Sequence, residues 1–543
     1  MLKKLLTLGT LVCAQCLAAV PSQYMAKQYT EGLGRAPDAL GWTAAVRSAV
    51  QTGCSASSLQ AQTMNLFQST EYTSKGYIPE EQVLTVYRAV LSREPDSTGF
   101  NFWVNSLKSG HALTEMIQAI MTSQEFTSLM PAICAGNGYD PIGAPTRPLD
   151  IGSGSWTQAQ LESCINSNAV CSVPPRVVVY LTSTLNIPAG KVLETAGGYT
   201  RTMYARQARI VRDAPAQGIL ILMQPGSTVR DIWVSGGRDR FKSSLIKMST
   251  PQANVFPNIN YVGGNYGTIE GVRSDAPLSA THIATFPVPT PAIPTAPTAF
   301  NGTVYISNNL TTGYAQRHYD DGTPIPWADG ISSHIMGATI RNNDIVDPTD
   351  VGIVIFGHDG ANQQSTASGN IIVHSGHSAY GSLGLDTTQC TASLPSACAF
   401  SGSGFSYNLI FAGPNQHSDI VLFNGTGAWV DPHCDTANNG NCGSGGQMSH
   451  NSTITDSNNH LVQDQMVQVQ AGIVVDGMLN AVTDLNNLNA IQMTVPPDNT
   501  AAFLACNTGT MIRNDLKSGH ASGTLQGPAT DTPSHGCIGH RPR

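Results

Sequence analysis

GATIRNNDIVDPTDVGIVIFG, residues 337–357, decides the fold. Short β-branched runs alternate with Asn-Asn and Asp-Pro-Thr-Asp corners. Each run is too short for a helix and has the composition of a strand. The pattern recurs in register. Asn343-Asp344-Ile345-Val346 is answered 27 positions later by Asn370-Ile371-Ile372-Val373, and VGIVIF from Val351 is answered 29 positions later by YGSLGL from Tyr380. Periods of about 20–30 residues built from short strands indicate a solenoid whose coils bury their apolar faces only by stacking.

Outward from that stretch the same texture continues. GILILM, GTVYIS, GNIIVHS, SDIVLF and STITDS lie between residues 156 and 500. The expected fold is mainly β, a right-handed parallel β-helix. A propeller would need a four-strand repeat of about 40–50 residues, which the chain lacks. TQAQLESCINS (157–167) reads as an amphipathic helix that closes the first coil and blocks edge pairing.

Ahead of the β region, residues 22–130 read as a small all-α domain with an internal repeat. YTEGLGRAPDALGW (29–42) matches YRAVLSREPDSTGF (87–100), and FQSTEY (67–72) matches MTSQEF (121–126). In each copy Pro stops one helix and Asp caps the next. The shared R-x-P-D-x-x-G core resembles a bacterial helical domain family of unknown function. The repeated aromatics, such as Tyr29, Trp42, Tyr87 and Phe100, read as core. Residues 131–155 are Gly/Pro-rich and read as a linker, and residues 501–543 as a disulfide-containing tail.

MLKKLLTLGTLVCAQCLAA (1–19) has the basic start, apolar run and small residues of a signal peptide. The expected location is therefore secreted, periplasmic or cell-surface, and no later run is long enough to span a bilayer. The ten remaining cysteines are expected to pair as Cys54/Cys134, Cys164/Cys171, Cys390/Cys398, Cys434/Cys442 and Cys506/Cys537. The chain carries a net charge of −8, and nucleic acid is not an expected partner.

The candidate chemistry sits in the deciding stretch. Asp329 and Asp350 lie 21 residues apart, each just before a Gly-containing strand. One coil of separation would bring two carboxylates to one face, as glycosidic hydrolysis requires: one to protonate the leaving oxygen, one to activate water. Around them, WADGIS (327–332), PTDVGIVIF (348–356) and SGHSAYGSLG (375–384) resemble the site strands of polygalacturonase-like glycoside hydrolases. That resemblance implies catalytic roles for Asp329, Asp350 and His377. It departs from the family at Ala328 (Thr there), Thr349 (Asp there) and Ser378 (Gly there), and the family's Arg-Ile-Lys is absent.

Other residues are placed near the substrate by position. Trp327 could stack on a sugar ring, as could Trp429. Arg317, His318 and Tyr319 lie on the loop before Trp327. His358, Tyr380 and Asp386 follow on the next coils. The expected partner is a polysaccharide or cell-surface glycan. No Lys or Arg occurs from Asn342 to Ile512, against thirteen Asp, so a neutral or weakly charged substrate fits better than a polyanion. No cofactor is expected, although Ca²⁺ could sit in the Asp/Asn-rich loop 431–446.

Three readings follow: an inverting glycoside hydrolase, a non-catalytic surface or adhesion scaffold, and a polysaccharide lyase. Against function stands the ordinary structural use of Asp at corners, which could account for Asp344, Asp347 and Asp350. Oligomeric state stays open.

Overall fold

From Val170 to Thr453 the described coils lay down short strands in three sheets, and beyond Thr453 the described strands belong to sheets 1 and 3. Sheet 1 begins with Val170–Val173, sheet 2 with Val178–Leu181 and sheet 3 with Leu185–Ile187. Every strand pairs in parallel with its counterpart one coil away. The computed structural model describes residues 20–136, 147–241 (without 153 and 215–217) and 257–313 (without 265, 279 and 287–300). It also describes residues 328–357, 361–375, 379–387, 398–412, 417–425, 443–453 and 467–476, then short strands as far as residue 529. The proposed signal segment, residues 1–19, lies outside them.

This is a parallel β-helix preceded by a helical region. The deciding stretch supplies one strand to each sheet: Met336–Arg341, Asp344–Val346 and Val351–Phe356. Ile345 pairs with Ile372, the expected 27-residue step, while Val351 pairs with Gly381, one residue beyond the step of 29. The interior is a column of aliphatic side chains in which Ile283, Ile331, Ile353, Leu383, Leu422 and Ile473 stack along sheet 3.

The corner between sheets 1 and 2 is stitched by asparagines. Asn309, Asn343, Asn370, Asn408, Asn451 and Asn486 follow one another along the stack. In each link the carboxamide nitrogen donates to the next side-chain oxygen, and that same oxygen accepts the backbone N–H of the preceding coil. A second hydrogen from the nitrogen goes to a carbonyl such as Ile340 O or Ala367 O. Fully buried amides are thereby satisfied inside an apolar stack, where an orphan would cost about 1–3 kcal/mol.

The N-terminal end is closed by helix Gln158–Ser167, whose Leu161 and Ile165 join the β-helix core. Thr157 caps it in a reciprocal box with Gln160. Disulfides Cys54–Cys134 and Cys164–Cys171 are present, and Cys398 is disulfide-bonded. The other expected pairs lie outside the described residues.

The sequence repeat of the helical region is also a repeat in space. Arg35 grips Glu71 through two bonds of 2.7 and 2.8 Å and lies over Tyr29. Arg93 grips Glu125 through bonds of 2.5 and 2.8 Å and lies over Tyr87. Asp38 and Asp96 cap the following helices at Gly41 N and Gly99 N. A Cβ on either glycine would come within 2.3 Å of the tyrosine hydroxyl, which is why the motif ends in Gly.

These helices lie lengthwise along the outer face of sheet 2. Val46, Trp42 and Met25 pack with Leu310, Val346, Val373 and Phe411, which come from four successive coils. Nearer the first coils, Glu31, Glu94 and Asp275 interlock with Arg88, Arg209 and Arg273. Trp233 sits within this cluster, donates to Asp275 at 2.8 Å, and has Arg209 over its ring at 3.6 Å. Buried charges persist only when paired this closely.

Candidate functional site

Sheet 3 carries the candidate residues. Its relevant strands are Ala280–Thr285, Ala328–Ser333, Val351–Phe356 and Ala379–Asp386. Pairing runs Thr281↔Asp329 then Ile283↔Ile331, Val351↔Gly381 then Ile353↔Leu383. His282, Gly330, Gly352 and Ser382 lie between these pairs, at one level of the stack. At the two glycines a side chain is not tolerated: a Cβ on Gly352 would lie 2.5 Å from Ser382 O, and one on Gly330 would lie 2.5 Å from Gly352 O.

Asp329 is level with Val351 rather than Asp350, because the coil here is 22 residues, not 21. Side chains one residue apart on a strand face opposite ways. Asp350, however, precedes the strand, in a turn folded back on Ala328. Thr349 N and Asp350 N both donate to Ala328 O, at 3.1 and 3.3 Å, and Thr349 Oγ1 accepts Ala328 N at 2.9 Å. This turn brings Asp350 close enough to influence Asp329. Thr349, which replaces an Asp of the resembled family, has a structural task here.

Asp329, Asp350 and Asp386 are all buried. Asp329 Oδ1 accepts Val351 N at 3.0 Å and Oδ2 accepts Ser332 Oγ at 2.7 Å. Burial, first, and then the neighbouring Asp350 push the Asp329 carboxyl well above its ordinary value. The two hydrogen bonds pull the other way without reversing this, and Asp386 adds to the rise. The protonated form of the side chain is therefore favoured relative to an exposed aspartate. A raised carboxyl beside a second acid is the arrangement that acid–base catalysis uses.

Beyond the carboxylates stands an aromatic group that sequence reasoning missed. His334 stacks on Phe356 with centroids 4.2 Å apart and tilts against Phe286 at 4.4 Å. Phe356 pairs with Asp386. Counting one coil forward from His334 reaches Phe356, and the next reaches Asp386; that register was the available signal. His282, also missed, has its ring pushed down to about 3 by burial, with Arg238 adding to the effect and Asp275 opposing it. Its Nδ1 is 3.1 Å from Ser274 Oγ.

Of the sequence candidates, Asp329, Asp350 and Asp386 are brought together. Tyr380 lies near the start of the strand that ends at Asp386. Trp327, Arg317, His318, Tyr319, His358, His377 and Trp429 lie outside the described residues, as does the loop 431–442. Asp347 is a corner residue: with φ +53°, its carboxylate takes Ser375 N at 2.6 Å and Ser375 Oγ at 2.5 Å. Asp344 is no corner; it lies in a strand and receives Ala36 N at 2.7 Å and Arg201. His374, near a corner, contacts Ser382 Oγ at 2.9 Å. Among the described residues no group of three or more His, Cys, Asp or Glu is set to hold a metal ion, and no helix is long and apolar enough to cross a membrane.

Residues 63–130 match the family model of a domain of unknown function, DUF4214. No curated protein matches the chain. Solved structures similar to it include the pre-mature bacteriophage phi29 gene product 12, at 13% identity and TM-score 0.38, covering 65% of this chain and 43% of that one. The bacteriophage CBA120 tailspike protein 2 enzymatically active domain matches at 11% identity and TM-score 0.34, covering 62% and 41%. The chain spans less than half the length of these two. Endo-xylogalacturonan hydrolase from Aspergillus tubingensis matches at 13% and TM-score 0.38, covering 69% of this chain and 95% of that one. Overlaps this shallow assign no chemistry, and the DUF4214 match names only part of the helical region.

Proposed function

We propose that the protein is a carbohydrate-active enzyme that hydrolyses a glycosidic bond of a neutral or weakly charged polysaccharide, with inversion. Asp329 gives its proton to the leaving oxygen and Asp350 activates water. The observation that carries this reading is geometric: Asp329, Asp350 and Asp386 are buried on adjacent coils, with the Thr349–Asp350 turn folded back on Ala328 so that Asp350 acts on Asp329. A carboxyl raised by burial first and by a neighbouring carboxylate second suits a general acid. The cation-free segment from Asn342 to Ile512 supports an uncharged substrate. His377, in the sequence just after the Ser375 corner, is assigned to orienting a carboxylate or binding substrate. Export in bacteria fits this role.

The test is a panel of polysaccharides incubated with wild type, Asp329→Asn and Asp350→Asn. Reducing ends and the ultraviolet absorbance of unsaturated sugars are both read. New reducing ends without absorbance, lost in both folded variants, support the hydrolase. Absorbance identifies a lyase and overturns these roles.

A non-catalytic scaffold is the second reading. It is favoured by the bonds that tie Asp329 to Val351 N and Ser332, which would suit a purely structural carboxyl. Silence of the whole panel supports it.

A further inference from the structure

The helical region holds a cleft of about 520 Å³, far along the chain from the carboxylates. That volume falls in the range of small-molecule sites, roughly 300–1,000 Å³. Its floor is apolar, from buried Phe67, Tyr77 and Ile117. At its rim stand Gln68, Gln82 and Thr114, whose side chains make no hydrogen bond among the described residues. None of the eleven lining residues is charged, although ion pairs crowd the nearby domain junction.

The tyrosine hydroxyls are already committed: that of Tyr72 to Thr85, and that of Tyr77 to Thr202 O. Thr73, also in the lining, donates to Ser69 O at 2.9 Å, so the uncommitted polar capacity rests with the two carboxamides and Thr114. One wall of the cleft is tied to the β region, where Arg206 donates to Gly76 O at 2.8 Å.

We infer that this cleft binds an uncharged sugar unit, giving the helical region its own glycan-binding site. A charged ligand would find no counter-charge. An acyl chain would strip water from Gln68, Gln82 and Thr114 and return no hydrogen bond, at a cost of about 1–3 kcal/mol per group. A pyranose offers an apolar face to the floor and hydroxyls to the rim. The inference borrows from the proposed function only its ligand class, and it survives if the carboxylates prove inert.

The experiment uses the full chain carrying Asp329→Asn and Asp350→Asn, so that turnover is absent. Cello-, xylo-, manno- and malto-hexaose are each titrated calorimetrically, with and without Thr114→Trp, which fills the cleft mouth, or Gln82→Ala. At least one hexaose should bind, and Thr114→Trp should weaken it by about tenfold or more, with Gln82→Ala weakening it less. The thermal transition of each variant is recorded, and Gln82→Ala serves alone if Thr114→Trp does not fold. Binding that neither variant changes, no binding by any hexaose, or uptake only of a dodecyl chain or an apolar peptide overturns the inference. Loss of hydrolysis by Asp329→Asn with sugar binding intact leaves this site standing apart from the other.

Discussion

Glu31 and Arg273 stand 242 positions apart in the chain, yet Oε1 of the first lies 2.5 Å from Nη2 of the second. The bond ties the helical region to the β-helix at full burial. Burial alone would raise the Glu31 carboxyl, but Arg273 and then Arg88 outweigh it and hold the carboxyl below the usual carboxylate range. Glu31→Gln should destabilise the protein by about 3–5 kcal/mol, because Arg273 and Arg88 are left short of charge. Chemical denaturation measures it, and an unchanged midpoint contradicts the bracing role.

The same pair fixes a pH dependence. A carboxyl depressed on folding contributes stability above its unfolded value, about 4.3. That stability is lost as pH falls below it toward the folded value. Wild type should therefore lose stability on acidification from about pH 5 downward more steeply than Glu31→Gln does. Melting temperatures across that range decide it.

Asp329 carries the opposite sign. Its folded carboxyl is raised, so between the unfolded value, about 3.9, and the folded one, folding takes up a proton. Stability is fully present below that window and falls as pH rises through it. Asp329→Asn removes the penalty and should melt no lower than wild type at neutral pH, and higher at alkaline pH. The same change should cut hydrolysis by about 10²–10⁴-fold if Asp329 is the acid. A variant that is both less stable and fully active contradicts both statements.

Gly352→Ala places a methyl 2.5 Å from Ser382 O, a backbone atom that cannot swing aside. A loss of about 1–3 kcal/mol is expected. Asn408→Ala should cost more than a surface Asn→Ala, because it leaves Asn370 N and the Asn451 carboxamide oxygen short of partners. Urea midpoints for the three variants rank these effects.

How much of this was legible in the sequence follows from the range of each interaction. The β-helix was legible because its coils repeat the same local contacts, so Asn343 and Asn370 announce themselves at their spacing. The R-x-P-D-x-x-G turn was legible because Arg35 and Asp38 act within a few residues. The Glu31–Arg273 bond was not, since each partner is a solitary charge with no local pattern. Asp329 and Asp350 were placed one coil apart on one face, but the pairing step is 22 residues and not 21, a length that no local pattern in the sequence states. His334 and Phe356 were missed because they match only once the coil lengths are known.

The two R-x-P-D turns have a consequence for how this chain can change length. The first meets sheet 2 through Ala36 N and Asp344, the second through Glu94 and Arg209, so the same position of each turn is used. Between those two grips lie four coil-to-coil steps, from strand Ala208–Arg212 to strand Asp344–Val346, or roughly 19 Å at the usual strand spacing. Solenoids commonly drift by gaining or losing whole coils. Here the helical region works as a gauge of fixed length, and a coil added or deleted inside that span would carry one grip past its partner. Among the described residues the apolar contact ends at Phe411, so the gauge acts on the coils before it.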